Sequence, residues 1–421
     1  MSLVRPPAAL EEAEIPRRRS TLLIPFRFRD FRLLWFGLIV SNLGTWMQFT
    51  TLGYLVVKLS SSPSLAALNV GVLGASNAVP VLLLSPIAGV VADRFPRRRV
   101  LLITNFMTSA IALTLALLAT FHLLSLWEIF VLSGLRAANQ SFDAPARRSW
   151  VPLLVPREYV GTAVGLNSIA FNAPSVVGPP IAGLLILWVG VSVSFYLNAA
   201  LTLAVVAALI VMRPAPPSST VREGVFTSIV AGLRFLFGHH VLRYVVLMLL
   251  ITCVFVRPYA QLLPAYAAHV VHVDARGLGL LLAASGVGAI FGSLLTALVG
   301  SGRRGKVWFF SAVLMSIGTI VLGTVHVFWV ALVVLVFIGL SVLSFAGSSN
   351  VLLQTLSPDD MRGRAISVFS MIILGLVPLG SLLLGSLASI VGLSKAISAG
   401  GIVCLIIAIA IYASDPELRA V

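Results

Sequence analysis

Residues 89–101 read GVVADRFPRRRVL. One aspartate, Asp93, and four arginines sit between two long apolar runs, in a chain of 421 residues that is only 10% charged. Soluble domains carry about 25% charged residues. With 59% hydrophobic residues and a mean hydropathy of +1.04, this chain has more apolar surface than a water-soluble core can bury. The solvent is therefore a bilayer, and the charged stretch reads as a short loop between two spans.

Windows of about 20 apolar residues place twelve spans near 32–57, 66–92, 100–121, 124–145, 160–186, 188–212, 243–268, 277–300, 306–326, 328–352, 363–389 and 393–413. The runs are continuous rather than alternating, which excludes a closed β-barrel. Of the 29 Lys and Arg, only Lys58, Arg276 and Lys395 fall on the outer side if the N-terminus is cytoplasmic, and only Arg136 and Arg257 lie within spans. Positive residues gather on the cytoplasmic side of membrane proteins, so both termini are expected in the cytoplasm of a cell expected to hold this chain in its inner or plasma membrane. No cleavable leader is expected, and a basic cytoplasmic tail is placed at 1–30. Cys253 and Cys404 both lie in apolar runs and read as inert buried thiols.

Residues 213–228, RPAPPSSTVREGVFTS, are rich in Pro and Ser and read as a linker. IVAGLRFLFGHH, at 229–240, reads as a short interfacial helix before the seventh span. An internal repeat relates the flanking halves. At a constant offset of 202, VPREYVGTAVGLNSIAFNAPSVVGPPIAGLL from Val155 matches SPDDMRGRAISVFSMIILGLVPLGSLLLGSL from Ser357, pairing Pro156 with Pro358, Gly161 with Gly363, Ala163 with Ala365, Gly178 with Gly380 and Gly183 with Gly385. The expected fold is an all-α membrane protein of two pseudo-symmetric six-helix bundles, at 31–212 and 241–413, joined by the linker at 213–240 and followed by a tail at 414–421. Ser357 is expected to cap the eleventh span, with Pro358 at its first position and Asp359 and Asp360 near its positive end.

GVVADRFPRRR resembles the loop signature of the major facilitator superfamily, G-x-x-x-D-R-x-x-R-R between spans two and three. LGTWMQFTTLGYLVVKLSSSP, FDAPARRSWVPLLVP and NSIAFNAPSVVGPPIAG resemble its drug- and siderophore-efflux branch, which includes enterobactin-exporter-like and macrolide-efflux-like proteins. The resemblance implies that Gly89, Asp93, Arg94, Arg97 and Arg98, with Asp143 at the inner end of span four, form a cytoplasmic latch against the start of span eleven when the inner gate is closed. It also implies that Pro174, Gly178, Pro179 and Gly183 bend or loosen span five. Pro96 stands where many members have Gly, and Ser175 where the branch often has Arg. The matching loop of the second half, GSGRRGKVW, lacks an Asp, so the latch should be one-sided.

GSGRRGKV, from Gly300, matches a glycine-rich phosphate loop in letters alone. It joins two spans, and Val307 replaces the hydroxyl that would hold Mg²⁺. No nucleophile elbow, H-E-x-x-H or Cys/His cluster is present. An enzyme, a metal site and a cofactor are not expected, nor is nucleic-acid binding, because the basic residues sit in short loops and tails.

Ionisable groups within a membrane are costly, and function is their default explanation. Arg136 lies near the middle of span four, with Asn139, Gln140 and Asp143 on the same helical face. Arg257 lies near the middle of span seven, with Gln261 one turn on. Asn42 and Gln48 in span one and Asn167 in span five complete the expected substrate site. Two central arginines without a central carboxylate favour an anionic or zwitterionic substrate and leave proton coupling open. The sequence thus points to a monomeric secondary transporter, embedded in the lipid bilayer, that exports small hydrophobic, amphipathic or anionic compounds of drug- or siderophore-like kind by alternating access. An importer or lipid transporter of the same fold, or a non-transporting receptor, stays as an alternative.

Overall fold

The computed structural model describes residues 21–212, 225–299 and 304–414, without the side chains of Asp93 and Arg94 among a few others. Most of the N-terminal tail, residues 213–224 of the linker, residues 300–303 of the glycine-rich loop and residues 415–421 lie outside the described residues. The rest is helical, with no strand among the described residues. The helices are α1 (Arg29–Leu59), α2 (Pro63–Arg94), α3 (Arg97–Thr120), α4 (Leu126–Trp150), α5 (Val160–Asn172), α6 (Pro174–Trp188), α7 (Val191–Val211), α8 (Val225–Gly238), α9 (His240–Phe255), α10 (Tyr259–His269), α11 (Ala275–Leu298), α12 (Arg304–Thr324), α13 (Phe328–Thr355), α14 (Asp359–Val391) and α15 (Leu393–Ser414).

Among the described residues, ten helical segments are long and apolar enough to cross a membrane, where twelve were expected; α5 with α6, and α9 with α10, each count as one. The other two expected spans are α1 and α4, of 31 and 25 residues. Their length suffices, but α1 carries charges at both ends and α4 carries Arg136, Asp143 and Arg147. Trp127, Trp188 and Trp329 are strongly exposed at the ends of helices on one side of the bundle, as tryptophans are at a membrane–water boundary. The opposite side carries the arginines of the α2–α3 turn and is called the arginine-rich end below.

Local chemistry sets the helix ends. Ser62 accepts from the Leu65 N–H (3.3 Å) ahead of Pro63. Glu128 accepts from the Ser125 N–H (3.0 Å), and Asp274 from the Gly277 N–H (2.9 Å). Helix α14 corrects the expected cap. Pro358, not Ser357, is the capping residue, and its carbonyl accepts from Met361 (3.0 Å) and Arg362 (2.9 Å). Proline suits this position because its missing N–H would find no helical partner there. Gly190 and Gly392, in the α6–α7 and α14–α15 turns, both have positive φ, 105° and 92°. They lie 202 residues apart, the offset of the sequence repeat, and only glycine adopts this conformation without strain.

Spans five and seven are interrupted. At Ala173 the backbone stays right-handed and helical (φ −57°, ψ −38°), but Pro174 has no N–H to offer the Ala170 carbonyl. Asn42 of α1 supplies the missing donor: its Nδ2 lies 3.2 Å from that oxygen. Of the residues expected to bend this span, Pro174 accounts for the interruption. Gly178 and Gly183 serve close packing: a Cβ on Gly178 would lie 2.8 Å from the Trp46 Cβ on α1, and one on Gly183 would collide with the Ala275 carbonyl of α11. Pro179 carries the carbonyl against which Gly279 packs. The continuous helix expected over 243–268 is replaced by α9, a turn at 256–258 and α10. The N–H groups of Val256 (3.0 Å) and Arg257 (2.8 Å) both reach the Thr252 oxygen, which widens the helix by one residue before Pro258 ends it.

Helix α2 packs along α14 and α6 along α11, with backbones in contact at the end opposite the arginines. A Cβ built on Gly385 would sit 2.6 Å from the Ala67 oxygen, one on Gly71 2.7 Å from the Ser381 oxygen, and one on Gly279 2.5 Å from the Pro179 oxygen. At the arginine-rich ends of α5 and α14, Gly161, Gly165 and Gly363 meet nothing within 4 Å. The close contacts of α2 with α14 and of α6 with α11 thus lie towards one end, while glycines of α5 and α14 face open space at the other.

Two predictions follow from this packing. Gly385→Val lowers thermal stability in detergent by about 1–3 kcal/mol through overpacking, whereas Gly363→Ala, in open space, is neutral or stabilising by up to ~1 kcal/mol. Asn42→Ala costs about 1–3 kcal/mol by leaving a buried carbonyl without a donor, and most of that cost disappears in a Pro174→Ala background, where the helix regains its own donor. Thermal unfolding of the four members of this cycle checks the coupling.

Candidate functional site

A cavity of about 270 Å³ opens among α1, α3, α4 and α5. Its wall is rich in hydroxyls and amides, and helix α4 supplies its charges. Arg136, Gln140, Asp143 and Arg147 succeed one another along one face of α4, at steps of four, three and four residues, so the site runs from mid-helix towards the arginine-rich end. From α1 come Ser41, Asn42 and Thr45; from α5, Asn167, Ser168, Phe171 and Asn172.

Asp143 is the one carboxylate among the described lining residues, and it is fully engaged. It accepts from Arg147 Nη2 (2.6 Å) and Nε (2.9 Å), from Asn105 Nδ2 (3.0 Å) and from Thr104 Oγ1 (3.1 Å). The pair is largely buried, with side-chain exposures of 13% for Arg147 and 17% for Asp143. A guanidinium gripping one carboxylate through two nitrogens is a strong, directional contact, so Arg147 is neutralised in place.

Arg136 has no such partner. Its one hydrogen bond goes from Nη2 to the Asn77 oxygen of α2 at 3.3 Å. Its Nε is buried without a hydrogen-bond partner, and it forms no salt bridge among the described residues. The lining therefore sets two guanidiniums against one carboxylate, and the surplus positive charge rests on Arg136.

The structure gathers Arg136, Gln140, Asn42, Asn167 and Asp143 around one cavity. It does not bring four other candidates there. Asn139 turns to α3 and donates to the Thr104 oxygen (2.6 Å) and Thr108 Oγ1 (2.8 Å). Gln48 is buried and accepts from Asn198 of α7. Arg257 and Gln261 stand at the α9–α10 break, off the cavity wall. Arg257 Nη1 and Gln261 Oε1 are buried without hydrogen-bond partners, and the Gln261 oxygen lies 2.7 Å from where a Cβ of Gly74 on α2 would be, inside the closed α2–α14 region. The reason is the interruption itself, which swings α10 against α1 and α2.

Among the latch candidates, Arg98 donates from Nε to the Leu209 oxygen (2.8 Å) and from Nη2 to the Ile210 oxygen. It thus caps the carbonyl end of α7, a favourable place for a cation. Arg97 is buried at the start of α3. Gly89, Asp93 and Arg94 lie on α2, but the surroundings of Gly89 and the side chains of Asp93 and Arg94 are not among what the structure describes. Sequence reasoning missed Arg147, Asn105, Thr108 and Phe171. Arg147 was legible four residues after Asp143, but the topology count absorbed it as a cytoplasmic charge. Cys253 and Cys404 are free and buried, and no group of three or more His, Cys, Asp or Glu among the described residues could hold a metal.

Known proteins share this architecture. The family described as transmembrane secretion effector matches residues 20–420. The multidrug efflux pump Tap of Mycolicibacterium fortuitum is 26% identical over 372 residues, covering 86% of this chain and 90% of that protein. The enterobactin exporter EntS of Shigella boydii is 27% identical over 393 residues, covering 92% of each. Among solved structures, a D-xylose-proton symporter superposes with a TM-score of 0.73 at 16% identity, covering 94% of this chain and 99% of that one. The xylose transporter XylE from E. coli, in an inward open conformation, superposes with a TM-score of 0.70 at 15% identity, covering 92% and 95%. Helical in its described residues, built of membrane-length segments and matched along nearly its whole length, the chain belongs to the transmembrane secretion effector family of the major facilitator superfamily.

Proposed function

We propose that the protein is a secondary active exporter of small amphipathic compounds bearing an acidic group, working by alternating access between two six-helix halves. The observation that carries this is Arg136: a guanidinium without a counter-charge, facing a polar cavity inside a bundle of membrane-length helices. Holding such a group in the membrane costs roughly 2.5–3.5 kcal/mol on insertion scales, and an acidic ligand that completes its hydrogen bonds offsets that cost. The cavity, at about 270 Å³, is at the small end for ligand sites. It suits a compact organic anion or the acidic end of a longer amphipath.

Three features support the rest. The 202-residue repeat in the sequence and the paired glycine turns at Gly190 and Gly392 fit two related halves whose interface holds the site. Closure of α2 on α14 and α6 on α11 at one end, with parting at the other, fits one end state of a rocking cycle, and positive residues at the open end favour a cytoplasmic opening. The relatives named as an efflux pump and an exporter support the outward direction. Twelve spans, with α1 and α4 included, would leave both termini on one side of the membrane, and the positive-inside bias favours the cytoplasm; a monomer in the plasma membrane suffices for the cycle.

Vesicles of known sidedness, loaded with a panel of amphipathic acids and assayed with and without an imposed pH gradient, test the proposal. Directional flux of at least one acid is expected, and absence of flux for every member contradicts it. Arg136→Ala lowers kcat/KM for a transported acid by roughly tenfold or more, the loss expected for a charge-assisted contact. Asp143→Asn weakens the bonds that position Arg147, and lowers unfolding stability by about 1–3 kcal/mol in a thermal or denaturant measurement.

A further inference from the structure

We infer that Asn77 is the residue that sets the sign of charge the cavity accepts, by fixing Arg136 in place without neutralising it; this rests on the transporter reading of the same site. The amide orientation is dictated by its neighbours. Asn77 Nδ2 donates to the Leu73 oxygen one turn earlier on α2, at 2.7 Å. The Oδ1 atom is left for Arg136 Nη2 at 3.3 Å, and a guanidinium can only donate. A neutral carbonyl thus anchors one corner of a five-donor fork, while the fork keeps its full charge and, apart from the buried Nε, its other donors are left for the cavity.

Contrast within the same helix sharpens the point. Arg147, eleven residues further along α4, meets a carboxylate through two nitrogens and is spent on the fold. Arg136 meets a carboxamide through one nitrogen. Exchanging the Asn77 amide for an isosteric carboxylate would give Arg136 what Arg147 already has, and the new charge behind the wall would cancel the one positive charge left over on the lining. Asn77 is therefore a positioning residue for Arg136, and the ligand class it selects is organic anions, whether water-soluble aryl acids or single-chain acidic lipids.

The test is equilibrium dialysis of matched ligand pairs against the full-length protein in zwitterionic nanodiscs, with empty nanodiscs subtracted. One pair is naphthalene-2-sulfonate and a naphthyl trimethylammonium; the other is decyl phosphate and decyl trimethylammonium. Wild type is expected to bind the anionic member of at least one pair roughly tenfold or more tightly than its cationic twin, a difference of the size one charge-assisted contact supplies. The first pair reports a soluble anion and the second a lipid-like one. Asn77→Asp is expected to abolish or reverse that preference. Asn77→Leu, which removes the anchor without adding charge, is expected to weaken anion binding several-fold while keeping its sign, and it carries the test if the acidic variant fails to fold. A wild type without anion preference in either pair, or binding neither member, overturns the inference, as does an Asn77→Asp or Asn77→Leu protein that binds like wild type. Wild-type protein that binds anions by this rule but moves none across vesicles refutes the transporter reading and leaves the role of Asn77 standing.

Discussion

Hydrocarbon offers no hydrogen bonds, so the backbone N–H and C=O groups inside this bundle must find partners within the protein. That constraint makes the described chain helical, and it explains the features that depart from plain helix. Pro174 withdraws one donor from the Ala170 carbonyl, and Asn42 reaches across from α1 to replace it. At the other interruption, the Thr252 oxygen takes two N–H groups where the chain widens before Pro258. The glycines of α2, α6, α11 and α14 follow from the same solvent. Between apolar helices in lipid, close backbone approach supplies the packing that hydrophobic burial supplies in water.

Against that background the charges of α4 divide into two kinds. Asp143 and Arg147 satisfy each other, with Thr104 and Asn105 from α3 holding the carboxylate. They bind α3 to α4 and give the cavity a rigid floor. Among the described residues Arg136 is held by an amide alone, and its surplus charge is the ground on which a binding role, rather than a purely structural one, is proposed for this cavity. Gln140, Asn167 and the hydroxyls around it add neutral hydrogen-bonding groups that suit oxygen-rich ligands, and Phe171 adds an apolar surface. Helix α2 links this site to the closed end: Asn77 touches Arg136, and one turn earlier Gly74 lies against Gln261 and Ser381.

Much of the helical layout was legible in the sequence because lipid-facing helices need long apolar runs, and the runs at 100–121 and 328–352 correspond to α3 and α13 within a few residues. The break between α9 and α10 was not, since apolar residues continue through it; the Arg257–Pro258 pair was the available signal. Within the site, Arg136 announced itself by its cost. Asn139 misled because helical spacing defines an arc, and the cavity occupies only part of that arc while α3 takes the rest. Arg257 misled for a different reason: depth in the membrane was readable, but the swing of α10 towards α1 and α2 depends on packing that hydropathy does not encode.

Alternating access requires reciprocal motion of the two ends of the bundle. Spin labels at Leu65 and Ile390, across the closed end, and at Phe95 and Asp360, across the arginine-rich end, measure it by pulsed electron resonance in nanodiscs. On adding a transported acid or shifting the pH, the first distance should lengthen while the second shortens. Two distances that stay fixed, or that change in the same direction, contradict alternating access in this protein.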